Sequence, residues 1–183
     1  MTAERTVTLL DGTPATVRTI RPSDGEALQN SLNDLDSDSR IRRFFFDKRQ
    51  LSDSELARLA NPDGVNHIAF GVAVNQADNE EPTPIGVGRC IRDERDKELA
   101  EVAVVTADLW HSVGVGTEIM KSLAFAAVEV GIRRFFASTF SDNIAVVKLL
   151  NKIGVELESR SLGSGVIEVV YELTVVPENH RRS

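Results

Sequence analysis

The segment of residues 100–120, AEVAVVTADLWHSVGVGTEIM, most constrains what this 183-residue chain can fold into. Its start is apolar and rich in β-branched residues, which predicts a strand over Ala100–Thr106. A loop with Gly114 and Gly116 follows, and apolar residues then recur with a helical period over Thr117–Val130. A strand that enters a helix through a glycine loop is the first half of a βαβ unit, so the segment predicts an α/β fold.

The remaining segments add hairpins and short helices to this unit. Alternating apolar residues flank Asp11-Gly12 and the glycine-rich run of residues 163–165, and each pattern predicts a β-hairpin. Ser52 and Glu55 have the spacing of a capping box that opens a short helix. The predicted order is ββ-α-α-α-β-β-β-α-β-α-β-β in a mixed sheet, with no internal repeat. We expect one domain over residues 1–183, with residues 177–183 disordered.

The charge balance disfavours one class of partner. With 28 acidic and 21 basic side chains, the formal net charge is −7, which repels the phosphates of nucleic acids. The same charge favours a basic partner, such as an amine or a lysine-rich protein surface, although solubility alone also accounts for it. The sequence therefore predicts no nucleic-acid partner.

Cysteine and histidine are too sparse to predict a disulfide or a metal centre. Cys90 is the only cysteine, and its apolar surroundings are typical of a strand, so we expect a packed, unreactive thiol. No spacing of His, Asp and Glu indicates metal ligands. The N-terminal residues lack the apolar core of a signal peptide, and no apolar stretch is long enough to cross a bilayer. We therefore expect a cytoplasmic location without membrane attachment.

The glycine loop before the predicted helix is a candidate anion site. Glycines allow positive φ and close approach of a ligand, and the first amides of a helix lack partners and carry the positive end of its dipole. Together these features suit phosphate or pyrophosphate, although a tight turn without a ligand would need the same glycines. The loop is not G-x-G-x-x-G, because Ile119 stands at the third glycine position, and no Gly-Lys-Ser or Gly-Lys-Thr is present.

Two motifs in this part of the chain resemble those of the GNAT N-acetyltransferases. The family's motif A is a strand followed by Gln/Arg-x-x-Gly-x-Gly/Ala, and His111, Gly114 and Gly116 fill these positions, with His in place of Gln or Arg. Residues 141–155, SDNIAVVKLLNKIGV, resemble the family's motif B, N-x-x-A-x-x-x-Y-x-K-x-G, in which Asn143 and Gly154 fill the Asn and Gly positions.

A further resemblance, to the acetyltransferase domain of bacterial Pat-type protein-lysine acetyltransferases, extends over about residues 7–175. It is carried by residues 11–28, by the SRIRRFFF run at residues 39–46, by Arg-Asp-Glu at 92–94 and by Ala-Glu-Val-Ala at 100–103. It implies the GNAT fold, which is a mixed, mostly antiparallel sheet of about seven strands flanked by four or five helices.

The resemblance also implies a binding site for acetyl-CoA as cosubstrate, without a metal. The family's strand before the loop pairs with the pantetheine arm, and the loop amides bind the pyrophosphate. The corresponding positions in this chain are Val104, Val105, Thr106, His111, Ser112, Val113, Gly114, Val115, Gly116, Thr117 and, in motif B, Asn143.

The implied activity is direct transfer of an acetyl group to an amine, either a small molecule or a protein lysine. The glutamate of the family's strand maps to Glu101, which would act as general base, and an amide near Val104 would stabilise the oxyanion. We expect Glu101 to be partly buried between apolar neighbours, although a solvated strand carboxylate is the alternative.

Two departures from the family favour a different function. Leu150 replaces the tyrosine that often protonates the leaving thiolate, and Val113 replaces a basic loop residue. A non-catalytic acyl-CoA-binding regulatory module is therefore the alternative, and a relative of the same fold that binds another phosphate ligand is a third possibility.

Two further surfaces are candidates for contacts with partners. The basic-aromatic run Ile41–Phe46 is either a segment that faces the acceptor or an amphipathic helix with its Phe residues in the core. The C-terminal hairpin offers an edge strand with which a second subunit could pair, so a homodimer is a further prediction.

Overall fold

A computed structural model describes residues 4–75 and 81–175, so the predicted disorder of residues 177–183 lies outside the described part of the chain. Within that part the chain forms eight strands and five α-helices, in the order predicted from sequence. The strand count equals that of the predicted order and is slightly higher than the roughly seven that the family resemblance implies. The strands are β1 Arg5–Thr8, β2 Pro14–Thr19, β3 His67–Val74, β4 Thr83–Arg92, β5 Leu99–Thr106, β6 Arg134–Phe140, β7 Gly154–Gly163 and β8 Val166–Leu173. The helices are α1 Gly25–Asn33, α2 Ser37–Phe44, α3 Asp53–Ala60, α4 Val115–Glu129 and α5 Ile144–Leu150.

All eight strands belong to one sheet, in the order β1-β2-β3-β4-β5-β6-β8-β7. Short connections force antiparallel pairing within the hairpins, whereas the crossover through α4 makes β5 and β6 parallel neighbours. The predicted mixed, mostly antiparallel sheet is therefore confirmed.

Helices cover both faces of the sheet. The apolar stripe of α4, including Ile119 and Leu123, is fully buried against β3, β4 and β5 in the main core. On the opposite face, α1 and α3 pack over a smaller apolar cluster around Leu28 and Ala60. The α4 face thus supplies most of the buried apolar surface, and the other face is left more open.

Capping residues define the helix ends. The predicted capping box is present, because Ser52 Oγ accepts the Glu55 N–H at 3.3 Å and the Glu55 carboxylate accepts the Ser52 N–H at 2.9 Å. Helix α4 begins at Val115 rather than at Thr117, since Gly114 is its N-terminal cap residue with φ of +100°. Gly116 therefore lies in the first turn of the helix and not in the loop.

The parallel pair β5–β6 is short. The two strands pair only over Leu99–Glu101 and Arg134–Phe136, although β5 continues to Thr106 and β6 to Phe140. Each strand remains fully paired with its other neighbour, β4 or β8, so the two halves of the sheet separate beyond Glu101. The separation leaves a gap in the middle of the sheet.

Close packing of α4 on β4 predicts a stability effect at Gly88. A Cβ at this position would overlap Ile119 Cγ2 and lie 3.0 Å from Val104 Cγ2. We expect Gly88→Ala to lower the free energy of unfolding by about 1–3 kcal/mol, as overpacked cores do. Urea denaturation measures the change.

Gly25→Ala is the matched control, because Gly25 is a helical residue with open space around its Cβ position. This variant should unfold at the wild-type urea concentration or slightly above it. Equal stability of the two variants would contradict the packing described for α4.

Candidate active site

A cavity of about 760 Å³ lies in the gap between β5 and β6, within the usual size range of small-ligand sites. Residues 102–106 of β5 and 137–139 of β6 form its walls, and the start of α4, helix α5 and helix α2 surround it. The cavity thus lies where the sheet separates and where the predicted anion loop begins.

The structure brings the predicted site residues together, with one exception. Those that line the cavity are Glu101, Val104, Val105, Thr106, His111, Ser112, Gly114, Val115, Gly116, Thr117 and Asn143. Val113 does not line it, because its side chain packs against the core and its carbonyl accepts the Leu10 N–H at 2.9 Å. Val113 therefore fixes the loop to the β1–β2 turn and does not face the cavity.

The edge of β5 presents unpaired peptide groups to the cavity. Leu99 O and Ala107 N bond to the β4 side, each at 2.9 Å, and alternate residues of a strand point their peptide groups the same way. The peptide groups of Val104 and Thr106 therefore point into the gap, whereas the N–H of Val102 still belongs to the ladder that pairs Glu101 with Phe136. The peptide groups of Val105 point toward β4, so a ligand can pair with Val104 but not with the backbone of Val105.

The first turn of α4 supplies further unpaired donors. The first backbone bond of the helix is from Glu118 N–H to Gly114 O at 3.1 Å, so the amides of residues 115–117 have no partner within the helix. Gly114 and residues 115–117 all line the cavity. Free amides and the helix dipole make this end of the cavity suitable for an anion.

Gly116 has a different role from the one predicted for it, since its φ is not positive. A Cβ here would lie 3.1 Å from Leu149 Cδ1 and 3.8 Å from Thr106 Cγ2. The missing side chain therefore lets α5 and the end of β5 approach the first turn of α4.

Two lysines near this anion site were not predicted from the sequence. Lys148 and Lys152 line the cavity, and Lys152 Nζ donates to Thr117 Oγ1 at 2.8 Å. They place positive charge beside the amides of α4, although Val113 carries none. The lysine of motif B coincides with Lys152, and this match could have identified it.

His111 and Asn143 both line the cavity. His111 Nε2 is 3.3 Å from Thr106 O and 3.9 Å from Asp108 Oδ1, so the ring covers the end of β5. Asn143 precedes α5 as its cap residue, but its side chain makes no capping hydrogen bond. Its amide group is therefore available to the cavity.

Glu101 lies at the point where β5 and β6 separate. It is the last β5 residue paired with β6, opposite Phe136, and its side chain lies on the sheet face opposite α4. The expected partial burial is wrong, since Glu101 is exposed where its buried neighbours Ala100 and Val102 face the core. Glu101 is thus an exposed carboxylate that lines the cavity.

Helix α2 covers the cavity near Glu101. Arg42, Arg43 and Phe45 line the cavity, and Phe45 packs on Phe140 of β6 with ring centroids 5.5 Å apart. Phe45 and Phe46 are 43% and 57% exposed, so the alternative that places these rings in the core is wrong. The basic-aromatic run therefore forms part of the cavity wall.

Among the described residues, the cavity lining contains no tyrosine and no cysteine. Leu150, at the position of the family's tyrosine, is fully buried. Tyr171 Oη lies 3.0 Å from both Asn151 Oδ1 and Glu156 Oε2, and burial together with Glu156 raises the pKa of Tyr171 to about 12. Tyr171, the single tyrosine of the sequence, does not line the cavity and therefore is not a proton donor there.

Residues 4–75 and 81–175 contain no cluster of three or more His, Cys, Asp or Glu that could hold a metal ion. No helix in these ranges is long and apolar enough to span a membrane.

Comparison with known proteins confirms the resemblance and the fold. The model of the acetyltransferase (GNAT) domain family matches residues 15–156. Acetyltransferase Pat of Mycolicibacterium smegmatis is 27% identical over 153 residues, which are 84% of this chain and 44% of that protein. This chain thus spans less than half the length of that curated relative.

Two solved structures show the same architecture. The crystal structure of the GNAT domain of S. lividans PAT has a TM-score of 0.80 and 26% identity, covering 93% of this chain and 97% of its own. The protein yncA of Salmonella typhimurium, solved with its cofactor acetyl-CoA, has a TM-score of 0.67 and 14% identity, covering 87% and 92%. The second likeness shows the fold alone.

Burial predicts that Cys90 is unreactive. The thiol is fully buried in β4, which raises its pKa to about 12, so it is neither ionised nor accessible near neutral pH. We expect no reaction with a thiol-specific disulfide reagent at pH 8 in native protein, and one equivalent released after denaturation in urea. Rapid labelling of native protein would contradict the packing described for β4.

Proposed function

The chain belongs to the GNAT acetyltransferase family, and we propose that it transfers an acetyl group from acetyl-CoA to the nitrogen of an amine. The observation that carries the proposal is the cavity between β5 and β6. It joins the free peptide edge of β5, the free amides of α4 and the Glu101 carboxylate in one groove. The strand edge suits the pantetheine arm, the amides of α4 suit the pyrophosphate, and the carboxylate suits the amine as a base.

The residues present fit acetyl-CoA. The Val104 carbonyl and the Thr106 N–H can pair with the amides of the pantetheine arm. The amides of residues 115–117, with Lys148 and Lys152, can bind the pyrophosphate. Asn143 offers a side-chain amide at the start of α5. When bound there, acetyl-CoA supplies the thioester that is the acetyl donor.

Glu101 and Val104 then have distinct roles in the transfer. Glu101 accepts a proton from the amine as the nitrogen bonds to the acetyl carbonyl carbon. The Val104 N–H donates to the carbonyl oxygen as that oxygen gains charge, a contact typically worth about 3 kcal/mol. The carbon–sulfur bond then breaks, and water protonates the thiolate, because no tyrosine among the described residues lines the cavity.

A non-catalytic acyl-CoA-binding regulatory module is the second candidate function. Leu150 is buried, and the Tyr171 hydroxyl is hydrogen-bonded to Asn151 and Glu156. The usual proton donor of the family is therefore missing, which favours this second function. Both functions share the cofactor site, so they differ only in whether an amine is acetylated.

The proposal also includes the predictions about domain arrangement, location and partners. The single-domain arrangement, a cytoplasmic location and the absence of a nucleic-acid partner remain predictions from the sequence. A homodimer through the C-terminal hairpin is supported by the exposure of nearly every side chain of β7 at the edge of the sheet. The acceptor is a small amine or a protein lysine.

Replacing Glu101 tests the enzyme function. We expect Glu101→Gln to lower kcat by about 10²–10⁴-fold, because the amine then loses its general base, while the Kd for acetyl-CoA stays unchanged. Release of CoA thiol over a panel of amines and lysine peptides measures kcat, and calorimetry measures the Kd.

Glu98→Gln is the control, because Glu98 precedes β5 as a carboxylate paired with Arg134 at 3.9 Å and does not line the cavity. It should keep the wild-type rate. Normal acetyl-CoA binding with no turnover of any acceptor by the wild-type protein would favour the regulatory module. Undiminished turnover by Glu101→Gln would exclude Glu101 as the base.

Replacing Gly114 tests the cofactor site. An alanine at φ of +100° is strained, and its Cβ would lie 3.3 Å from Leu10 Cγ, so the start of α4 must shift. We expect Gly114→Ala to weaken acetyl-CoA binding by about tenfold, which corresponds to about 1.4 kcal/mol. Calorimetry on the purified variant measures the loss.

Gly163→Ala is the matched control, since Gly163 has φ of +90° in the β7–β8 turn, away from the cavity. Both variants should lose similar stability, but only Gly114→Ala should lose affinity for acetyl-CoA. Equal affinities in the two variants would show that the first turn of α4 does not hold the cofactor.

A further inference from the structure

Most charged side chains around the α2 end of the cavity are already paired within the protein. Arg42 forms ion pairs with Asp38 at 3.0 Å and Asp142 at 3.1 Å. Asp108 accepts the Asp36 N–H at 2.8 Å, and Asp36 itself caps α2. Asp108 and Asp142 therefore link α2 to other elements, whereas Asp38 lies within α2, and each of these carboxylates already has a partner within the protein.

Two charged side chains at this end remain unpaired. Glu101 and Arg43 both line the cavity, and neither side chain forms a hydrogen bond or an ion pair with another residue of the ranges 4–75 and 81–175. They carry opposite charges and line the same cavity. A ligand that enters here meets one free acid and one free guanidinium.

Arg43 occupies an unfavourable position for an unpaired cation. Its side chain is partly buried, its guanidinium carbon is 4.8 Å from the Phe44 ring centroid, and burial lowers the pKa of Arg43 against the attraction of Glu101. Arg89 lies on the same sheet face, and its own burial together with the charge of Arg43 lowers the pKa of Arg89 to about 10. The Phe44 ring offers the guanidinium a favourable cation–π contact but no countercharge, so a partly buried cation with a second cation on the same sheet face is stabilised further when an anion joins it.

We propose that the acceptor is an amine that carries a carboxylate close to the reacting nitrogen, and that Arg43 pairs with this carboxylate while Glu101 receives the amine proton. The inference rests on the acetyltransferase function proposed above and adds the substrate class. The planar guanidinium can hold a carboxylate through two parallel hydrogen bonds, which fixes the orientation of the amine as well as its affinity. A polyamine without an anion would leave Arg43 unpaired.

Two kinds of acceptor carry a carboxylate close to an amine, and the site fits both. A free amino acid offers its own carboxylate beside the amine. A protein lysine next to an aspartate or glutamate offers a side-chain carboxylate at a similar distance. Both place an anion at Arg43 and an amine at Glu101, so matched acceptors of each kind are needed.

The test compares acceptors that differ only in the carboxylate. The pairs are 4-aminobutyrate and its amide, lysine and lysinamide, and two peptides that present Lys-Asp or Lys-Asn. With the full chain and acetyl-CoA, we expect kcat/KM to be about tenfold higher or more for the carboxylate member of at least one pair. The pair that shows the preference identifies the source.

Variants of Arg43 attribute the preference to this residue. Arg43→Gln should abolish the preference mainly through KM, and Arg43→Lys, which keeps the charge, should restore part of it. Arg49→Gln is the charge-matched control, because Arg49 is exposed, pairs with Asp47 at 2.7 Å and does not line the cavity. It should keep the wild-type preference. Equal loss for both members of every pair in Arg43→Gln would overturn the proposal and make Arg43 a residue that positions Glu101.

A binding measurement separates this inference from the proposed function. If no acceptor is acetylated, the enzyme function fails, and calorimetric titration of the same pairs into CoA-saturated protein then decides the inference. Tighter binding of a carboxylate member that Arg43→Gln removes would support it. Acetylation of amides and acids at equal rates by the wild-type protein would overturn it while leaving the enzyme function intact.

Discussion

The separation of β5 from β6 beyond Glu101 and Phe136 is the constraint on which the rest of the site depends. A parallel pair that continued to Thr106 would satisfy its own peptide groups and leave no room for a ligand. Because the strands separate, the β5 edge stays unpaired beside a cavity of about 760 Å³. Peptide groups shielded from water need partners, so this edge is suited to a ligand with amides of its own.

The phosphate end of the cavity is assembled from segments that are distant in sequence. Backbone pairing of Leu10 with Val113 fixes the loop before α4 to the first hairpin, and the hydrogen bond from Lys152 to Thr117 ties the end of α5 to the first turn of α4. The small size of Gly116 permits the contact with Leu149 that brings α5 close. The free amides of α4 therefore lie in a rigid frame, which reduces the ordering cost of binding an anion.

The acceptor end follows a different principle. Helix α2 is linked to other elements by the ion pair of Arg42 with Asp142 and by the hydrogen bonds that Asp36 N–H and Ser39 Oγ donate to Asp108. Through these contacts the carboxylates around α2 have partners within the protein. Glu101 and Arg43 have no hydrogen-bond or ion-pair partner among the described residues. The overall charge of −7 is therefore a poor guide to the acceptor, because local pairing decides which charges a substrate meets.

The sequence by itself determined the features that depend on neighbouring residues. The capping box at Ser52 and Glu55, the order of strands and helices and the glycine loop before α4 could be predicted, since local propensities and hydrophobic periodicity produce them. Only the tertiary structure decided that β5 and β6 separate, that Val113 faces away from the cavity, and that Arg43 and Glu101 line the same cavity. These features arise from packing and ion pairing between residues far apart in the chain, which no local pattern encodes.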